Sequence, residues 1–178
     1  CKVFLLFLIG IIVRFNIIYF KMIEQIYAYF TLEILYLWVN FGVLPFWLIL
    51  IFFPHSNFNK FFVTSIFSIL LLTGTYIFML YRSYLGAYDY LSNFELYLSI
   101  SNLSSLFSNN TFLIMFWIHF VSINLFVGGW MVKDSQKFLI NRVVMSIPLI
   151  ITYLIGPLGI FIYWIIRIFY AKNINLYE

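Results

Sequence analysis

The chain has 178 residues, of which 65% are hydrophobic, 24% aromatic and 9% charged. A soluble domain carries about 25% charged residues, so this composition excludes a water-facing surface and indicates an integral membrane protein. The formal net charge of +4 comes from scattered lysines and arginines, without the basic run typical of nucleic-acid binding. The length suits one bundle of four or five helices.

The N-terminal segment, residues 1–21, leaves two interpretations open. Its central stretch, residues 3–20, is apolar except for two residues, one of them Arg14. The segment is either an extra helix, with Arg14 extending to the membrane interface, or an upstream or signal-like stretch before a natural start at Met22. The rest of the chain, 22–178, is predicted to be a single membrane domain.

Two long apolar segments follow, segment A at about residues 29–53 and segment B at about residues 61–81. Each is long enough to cross a hydrocarbon core of about 30 Å at about 1.5 Å per residue. Because the loop between them is short, we expect A and B to be antiparallel neighbours. Pro45, inside segment A, is expected to have a structural role because it removes one backbone donor.

Residues 83–110 differ from the rest, because they are half polar and their apolar positions recur at roughly helical spacing. This pattern predicts an amphipathic helix that either lies at the membrane surface or folds back over the bundle. Segment C follows at about 111–132, ended by Lys133-Asp134-Ser135, and segment D at about 143–170. The predicted fold is an all-α integral membrane helical bundle with four core transmembrane helices, a candidate fifth at the N-terminus and a surface amphipathic helix.

Charge leaves the membrane orientation nearly undecided. If all four segments cross the membrane, each end carries four cationic residues. One set is Lys21, Arg82, Arg167 and Lys172, and the other is Lys60, Lys133, Lys137 and Arg142. The positive-inside rule therefore separates the ends only through the denser cluster in the C–D loop, which favours the cytoplasm for that loop.

Segment C carries two polar residues near its middle, His119 and Asn124. At about 100° per residue, five positions place them about 140° apart, so they cannot share one ligand face. An intramembrane ionisable group is by default a functional-site hypothesis, which makes His119 a candidate acid or base. The alternative is a buried polar clamp between helices.

Two glycine-containing pairs are expected to have structural roles. Gly128, next to Gly129, allows a neighbouring helix to approach segment C closely. Gly156-Pro157 interrupts segment D, because Pro157 has no N–H to donate. Two histidines are too few for a di-iron membrane oxygenase, so neither a metal nor a cofactor is expected.

Three stretches of the chain carry a shared set of motifs. They are VNFGVLPFWLILIFFP (Val39–Pro54), WIHFVSINLFVGGWMVKDS (Trp117–Ser135) and PLIITYLIGPLGIFIYWIIR (Pro148–Arg167). Taken in this order they resemble the abscisic-acid-deficient-four-like family of small membrane proteins from plastids and bacteria, over roughly residues 24–168. The family usually has Asp where this chain has Asn124 and Arg where it has Gly129, a joint change that fits the removal of an ion pair.

The resemblance implies a membrane protein linked to carotenoid or isoprenoid metabolism, and more finely an intramolecular isomerase of xanthophyll epoxides, because plant members are implicated in neoxanthin synthesis. Such a reaction needs an acid for the epoxide oxygen and a base for the adjacent carbon. His119 is the expected acid–base residue, with Asn124 and Thr152 as hydrogen-bonding partners. The expected polyene-facing walls are three tryptophans, Trp47, Trp117 and Trp130.

The alternative function is a non-catalytic pigment-binding protein or an accessory subunit of a larger membrane complex. The expected partners are the lipid bilayer, a carotenoid or other isoprenoid ligand, and another membrane protein, with no nucleic acid. The expected location is a bacterial inner membrane or a plastid membrane.

Overall fold

The computed structural model describes Ile18, Lys21, Met22, Gln25 and residues 28–175. The chain divides into two compact units, Cys1–Trp38 and Val39–Glu178. In the part of the chain that the structure describes, every regular element is helical, which confirms the all-α prediction. The two interpretations of the N-terminal segment fall almost entirely outside the described residues.

Helix α1 spans Leu32–Phe52. It begins where the Thr31 side chain accepts a hydrogen bond from the Ile34 N–H at 3.2 Å, and Glu33 in its first turn complements the positive end of the helix dipole. In the second unit, the buried residues of α1 recur every three or four positions, which gives it one inward face. They are Val39, Val43, Trp47 and Leu50.

The connection from α1 to α2 is anchored by one carbonyl. A π-helical turn at Asn59–Val63 precedes helix α2, Ile66–Leu85. The Pro54 carbonyl accepts hydrogen bonds from Asn59 Nδ2 at 2.6 Å and from Gln136 Nε2 at 3.1 Å. Gln136 lies near the end of the later helix Asn110–Lys137. The Pro54 carbonyl therefore connects the loop after α1 to the end of that helix.

The polar segment after α2 forms two short helical pieces instead of one amphipathic helix. A 3₁₀ helix spans Leu91–Tyr97, and helix α3 spans Ile100–Phe107, capped by the Ser99 hydroxyl on the Asn102 N–H at 3.1 Å. Most of their apolar side chains are exposed, as in Phe94 and Ile100. Contact of this segment with the membrane surface stays a prediction.

Helix α4, Asn110–Lys137, is the central helix of the second unit. Asn109 caps it by accepting from the N–H groups of Thr111 and Phe112. Its 28 residues extend past the expected end of segment C, because Asp134 and Ser135 are buried inside the bundle instead of ending the helix at the membrane boundary.

Segment D forms a hairpin instead of one crossing helix. Helices α5, Arg142–Leu154, and α6, Gly156–Ala171, meet at Ile155. The chain folds back there, because Gly159 packs so closely on Thr152 that a β-carbon on it would lie 2.4 Å from the Thr152 amide nitrogen. In a continuous helix, seven positions would separate these residues by about 10 Å.

Two further contacts fix the direction of the hairpin. Gly156, at its tip, touches Asn124 at the middle of α4, and Arg167 in α6 meets Asp134 near the end of α4. Helix α5, with 13 residues, is only about 20 Å long, less than a hydrocarbon core of about 30 Å. Helix α6 therefore returns to the end of the bundle where α5 begins.

The length and composition of each helix limit which of them can cross a membrane. Among the described residues, three helices are long and apolar enough to cross a membrane: Leu32–Phe52, Asn59–Leu85 and Asn110–Lys137. Helices α5 and α6, with 13 and 16 residues, are each shorter than the single crossing helix predicted for segment D. At the hairpin tip Gly156 is buried against α4, whereas Leu154 and Ile155 are exposed.

Candidate functional site

A cavity of about 160 Å³ lies between α1, α4 and the tip of the hairpin. Four aromatic side chains form most of its wall, with two amides between them. The aromatic residues are Trp47, Trp117, Phe120 and Tyr153, and the amides are Asn40 and Asn124. Pockets for drug-sized ligands hold roughly 300–1,000 Å³, so this cavity suits one ring of a larger molecule.

The deepest polar group of the cavity is the Asn124 amide. Its residue is only 6% exposed, and it makes no hydrogen bond to any described residue. Among the described residues, the fully buried side-chain atom without a partner is Asn59 Oδ1, whereas the Asn124 amide is accessible from the cavity that it lines. A ligand oxygen or hydroxyl in the cavity would give this amide a hydrogen-bond partner.

Gly156, at the tip of the hairpin, contacts Asn124 and does not itself line the cavity. Helix α6 starts there with no side-chain cap at Ile155 and with Pro157 in its first turn. The start of a helix carries a partial positive charge, which an acceptor oxygen such as Asn124 Oδ1 complements. Asn124 Oδ1 lies against Gly156, where a β-carbon would come within 2.2 Å of it, so only glycine lets the tip come this close.

The aromatic residues are held by specific contacts. Trp47 packs against Gly128, where a β-carbon would lie 2.8 Å from the indole, and its ring lies 5.5 Å from the Tyr153 ring. Trp117 Nε1 donates a hydrogen bond to Asn40 Oδ1 at 3.2 Å across α1 and α4. Gly128 therefore fixes the position of Trp47 in the cavity wall, and the Asn40 amide fixes that of Trp117.

The structure brings together three of the six side chains expected at the site: Trp47, Trp117 and Asn124. His119 is exposed and is not among the cavity-lining residues, because it lies off the stripe of α4 that carries Trp117 and Asn124. Thr152 is fully buried beside the cavity, where its hydroxyl donates to the Pro148 carbonyl at 2.7 Å.

Trp130 belongs to a different part of the bundle. It lines a second cavity of about 290 Å³ together with Gly129 and Thr64. Gly129 faces Thr64, whereas Asn124 faces the hairpin tip. The geometry therefore does not support the interpretation of these two positions as a lost ion pair, since they point towards different neighbours.

Among the described residues, a buried ion pair joins Asp134 to Arg167, two residues that the sequence pattern did not single out as partners. Asp134 Oδ2 accepts from Arg167 Nε and from the Tyr163 hydroxyl, both at 2.6 Å. The Arg167 guanidinium also lies over the Phe138 ring, 4.7 Å from its centre. Asp134, Tyr163 and Arg167 are each at most 3% exposed.

The charges beside Asp134 explain why the sequence does not indicate this cluster. Lys133 and Lys137 are typical of the end of a crossing helix, so the sequence predicts that Asp134 lies at the membrane boundary. The available signal was the spacing of Tyr163 and Arg167, which places both on one helix face and predicts a shared acceptor. Asp134 Oδ2 and its two donors are paired with one another, so the cluster stabilises the hairpin.

The chain matches a known protein family. The family model described as ABA DEFICIENT 4-like matches residues 34–163, more than half of the chain. This family is associated with neoxanthin synthesis in plants. Neither the curated proteins nor the solved structures contain a match to the chain.

Proposed function

Since the chain belongs to the ABA DEFICIENT 4-like family, we propose that it binds the oxygenated end ring of a carotenoid or related isoprenoid in the cavity between α1, α4 and the hairpin. The observation that carries this proposal is the Asn124 amide, which lines an aromatic-walled cavity and makes no hydrogen bond to a described residue. A ring oxygen would accept from Asn124 Nδ2, and a ring hydroxyl would donate to Oδ1.

The shape of the cavity supports a long ligand with only one end enclosed. Leu154, at its edge, is 64% exposed on the lipid-facing surface, whereas Trp47 at its depth is 2% exposed. The polyene would leave the cavity past Leu154 and extend into the bilayer. Aromatic side chains suit this role because they supply apolar area with few rotatable bonds.

Pigment binding is tested by expressing the chain in a carotenoid-producing host and recording the absorption spectrum of the purified protein. We expect pigment to copurify with the wild type and to be lost with Asn124→Ala. The matched control is Asn57→Ala, which removes an exposed amide that does not line the cavity and should keep the pigment. A wild-type protein without pigment, in a host rich in epoxidised carotenoids, would overturn the proposal and favour the accessory-subunit alternative.

The second candidate function is isomerisation of a xanthophyll epoxide, which the family association favours. In this reaction an acid protonates the epoxide oxygen as the ring C–O bond breaks, and a base removes a proton from the adjacent carbon, so no atom is gained or lost. The Tyr153 hydroxyl, on a cavity-lining residue, is a candidate proton donor. The cavity-lining residues include no carboxylate or imidazole to act as the base, which is why binding is our first proposal.

His119 remains the proposed acid–base residue for this second function. From the exposed face of α4 it could reach only the part of a ligand that lies in the lipid. The test is chromatographic analysis of pigments from hosts that express wild type, His119→Ala or Tyr153→Phe. Loss of product with His119→Ala, while bound pigment and fold persist, supports His119, whereas loss with Tyr153→Phe alone assigns the acid to the cavity.

A further inference from the structure

One end of the second unit carries a strong excess of exposed positive charge. This cationic end contains five exposed cations, Lys60, Lys133, Lys137, Arg142 and Lys172. Among the described residues of this end, the acidic residue is Asp134, which is buried and paired with Arg167. At the opposite end, in residues 39–175, Arg82 is accompanied by two acidic residues, Asp89 and Glu95.

The hairpin creates this asymmetry. If segment D crossed the membrane as one helix, Arg167 and Lys172 would lie at the opposite end. Because α6 folds back, both return to the end that already carries the C–D loop cluster. The positive-inside rule then places the cationic end in the cytoplasm or its plastid equivalent, on the side where anionic lipids concentrate.

A depression of about 500 Å³ lies within the cationic end. Its lining combines donors with apolar side chains and includes no acidic residue. The donors are His55, Gln136, Asn141 and Arg142, and the apolar residues are Leu139 and Ile140. A planar guanidinium matches two phosphate oxygens at once, so Arg142 is the expected anchor for a phosphate group.

The apolar part of the lining distinguishes a lipid from a free anion. Leu139 is 88% exposed, and its backbone has a φ of 53°, a left-handed conformation uncommon for leucine. That conformation lets the chain turn between α4 and α5 while the Ile140 N–H bonds the Ser135 carbonyl at 3.0 Å. An apolar side chain held beside phosphate-binding donors suits the junction of a headgroup and an acyl chain.

We propose that this depression binds the phosphate of an anionic phospholipid headgroup, with Arg142 as the anchor and the lysines of the cationic end as supporting charges. The site is separate from the pigment cavity, which lies at the depth of Asn124, and the proposal does not depend on pigment binding. Each cation near an anionic surface changes lipid affinity by about fivefold.

Native mass spectrometry of protein extracted from vesicles with equal phosphatidylglycerol and phosphatidylcholine tests this proposal. We expect the wild type to retain phosphatidylglycerol preferentially. Arg142→Gln should lower that retention about fivefold or more, and Arg142→Lys should lower it less because the charge remains. The matched control is Arg82→Gln at the opposite end, which should retain the lipid as the wild type does.

Three outcomes would overturn the proposal. The first is equal retention of the two lipids by the wild type. The second is an equal loss with Arg142→Gln and Arg82→Gln, which would indicate attraction by net charge without a site. The third is thermal stabilisation by inorganic phosphate equal to that by phosphatidylglycerol, which would assign the depression to a free anion. If Arg142→Gln unfolds the protein, His55→Ala supplies the comparison, because His55 is exposed and lines the same depression.

Discussion

The bundle contains two buried polar clusters that differ in one respect. Around Asp134, the carboxylate accepts from Tyr163 and Arg167, and the cluster joins α6 to α4. Around Asn124, the amide lines an aromatic cavity and makes no hydrogen bond to a described residue. Polar residues inside a membrane bundle therefore do not all mark function, and the accessible amide is the better candidate for a ligand contact.

The largest predicted effect comes from breaking the satisfied cluster. Arg167→Met leaves the Asp134 carboxylate buried without its cation and should lower the free energy of unfolding by about 3–5 kcal/mol. Equilibrium unfolding in detergent, followed by circular dichroism, measures it. The matched control is Lys137→Met, because Lys137 Nζ lies 3.7 Å from Asp134 Oδ1 but its side chain is 60% exposed.

For that control we expect a change below about 1 kcal/mol. The double variant Asp134→Asn with Arg167→Met should recover most of the lost stability, because no charge is left buried and Asn can still accept from Tyr163. An Arg167→Met variant as stable as Lys137→Met would contradict a structural role for the pair.

The next effect concerns the closure of the hairpin. An alanine β-carbon at Gly159 would lie 2.4 Å from the backbone nitrogen of Thr152, which cannot move without opening α5 from α6. Gly159→Ala should therefore lower stability by about 1–3 kcal/mol, typical of overpacking. Gly156→Ala should be milder, since it meets the Asn124 side chain, which can rotate.

Gly74→Ala in α2 is the control for these glycine variants, because nothing lies within 4 Å of its β-position. It should raise stability by about 0.5–1 kcal/mol through better helix propensity. The order Gly74, Gly156, Gly159, from most to least stable, is the outcome to check by thermal unfolding. Equal stability of Gly159→Ala and Gly74→Ala would argue against the tight hairpin.

A smaller effect is expected at the side of the cavity formed by α1 and α4. Trp117→Phe removes the 3.2 Å hydrogen bond to Asn40 Oδ1 while it keeps an aromatic ring. The expected loss is about 0.5–1.5 kcal/mol, the usual net value of one such bond. Chemical denaturation measures the loss in the free energy of unfolding. A loss as large as that of Arg167→Met would show that this contact belongs to the structural core.

The smallest change in stability is predicted at the Asn124 amide. Asn124→Leu keeps a similar volume and removes an amide that makes no hydrogen bond to a described residue, so stability should stay within about 1 kcal/mol of the wild type or rise. Pigment binding should be lost. A large loss of stability with pigment binding intact would instead make Asn124 a structural clamp, as one interpretation of the sequence allowed.

Much of the site could be predicted from residue types, but their grouping could not. The spacing of Trp117 and Asn124, seven positions apart on one helix, already places them on a common face. Trp47 lies in the same cavity wall because it fits over Gly128. Tyr153 lies there because helix α5 ends beside the cavity. His119, like Asn124, is a polar residue near the middle of an apolar segment, but its angular position on α4 leaves it exposed.

The sequence by itself determined the membrane class, the all-α fold, the family and the break at Gly156-Pro157, because composition, apolar length and the chemistry of proline act locally. Only the tertiary structure decided where the chain goes after that break. A proline ends a helix without setting the direction of the next one, which depends on Gly159 fitting against Thr152 and on Asp134 lying opposite Tyr163 and Arg167. The same fold-back decides which end of the bundle is cationic.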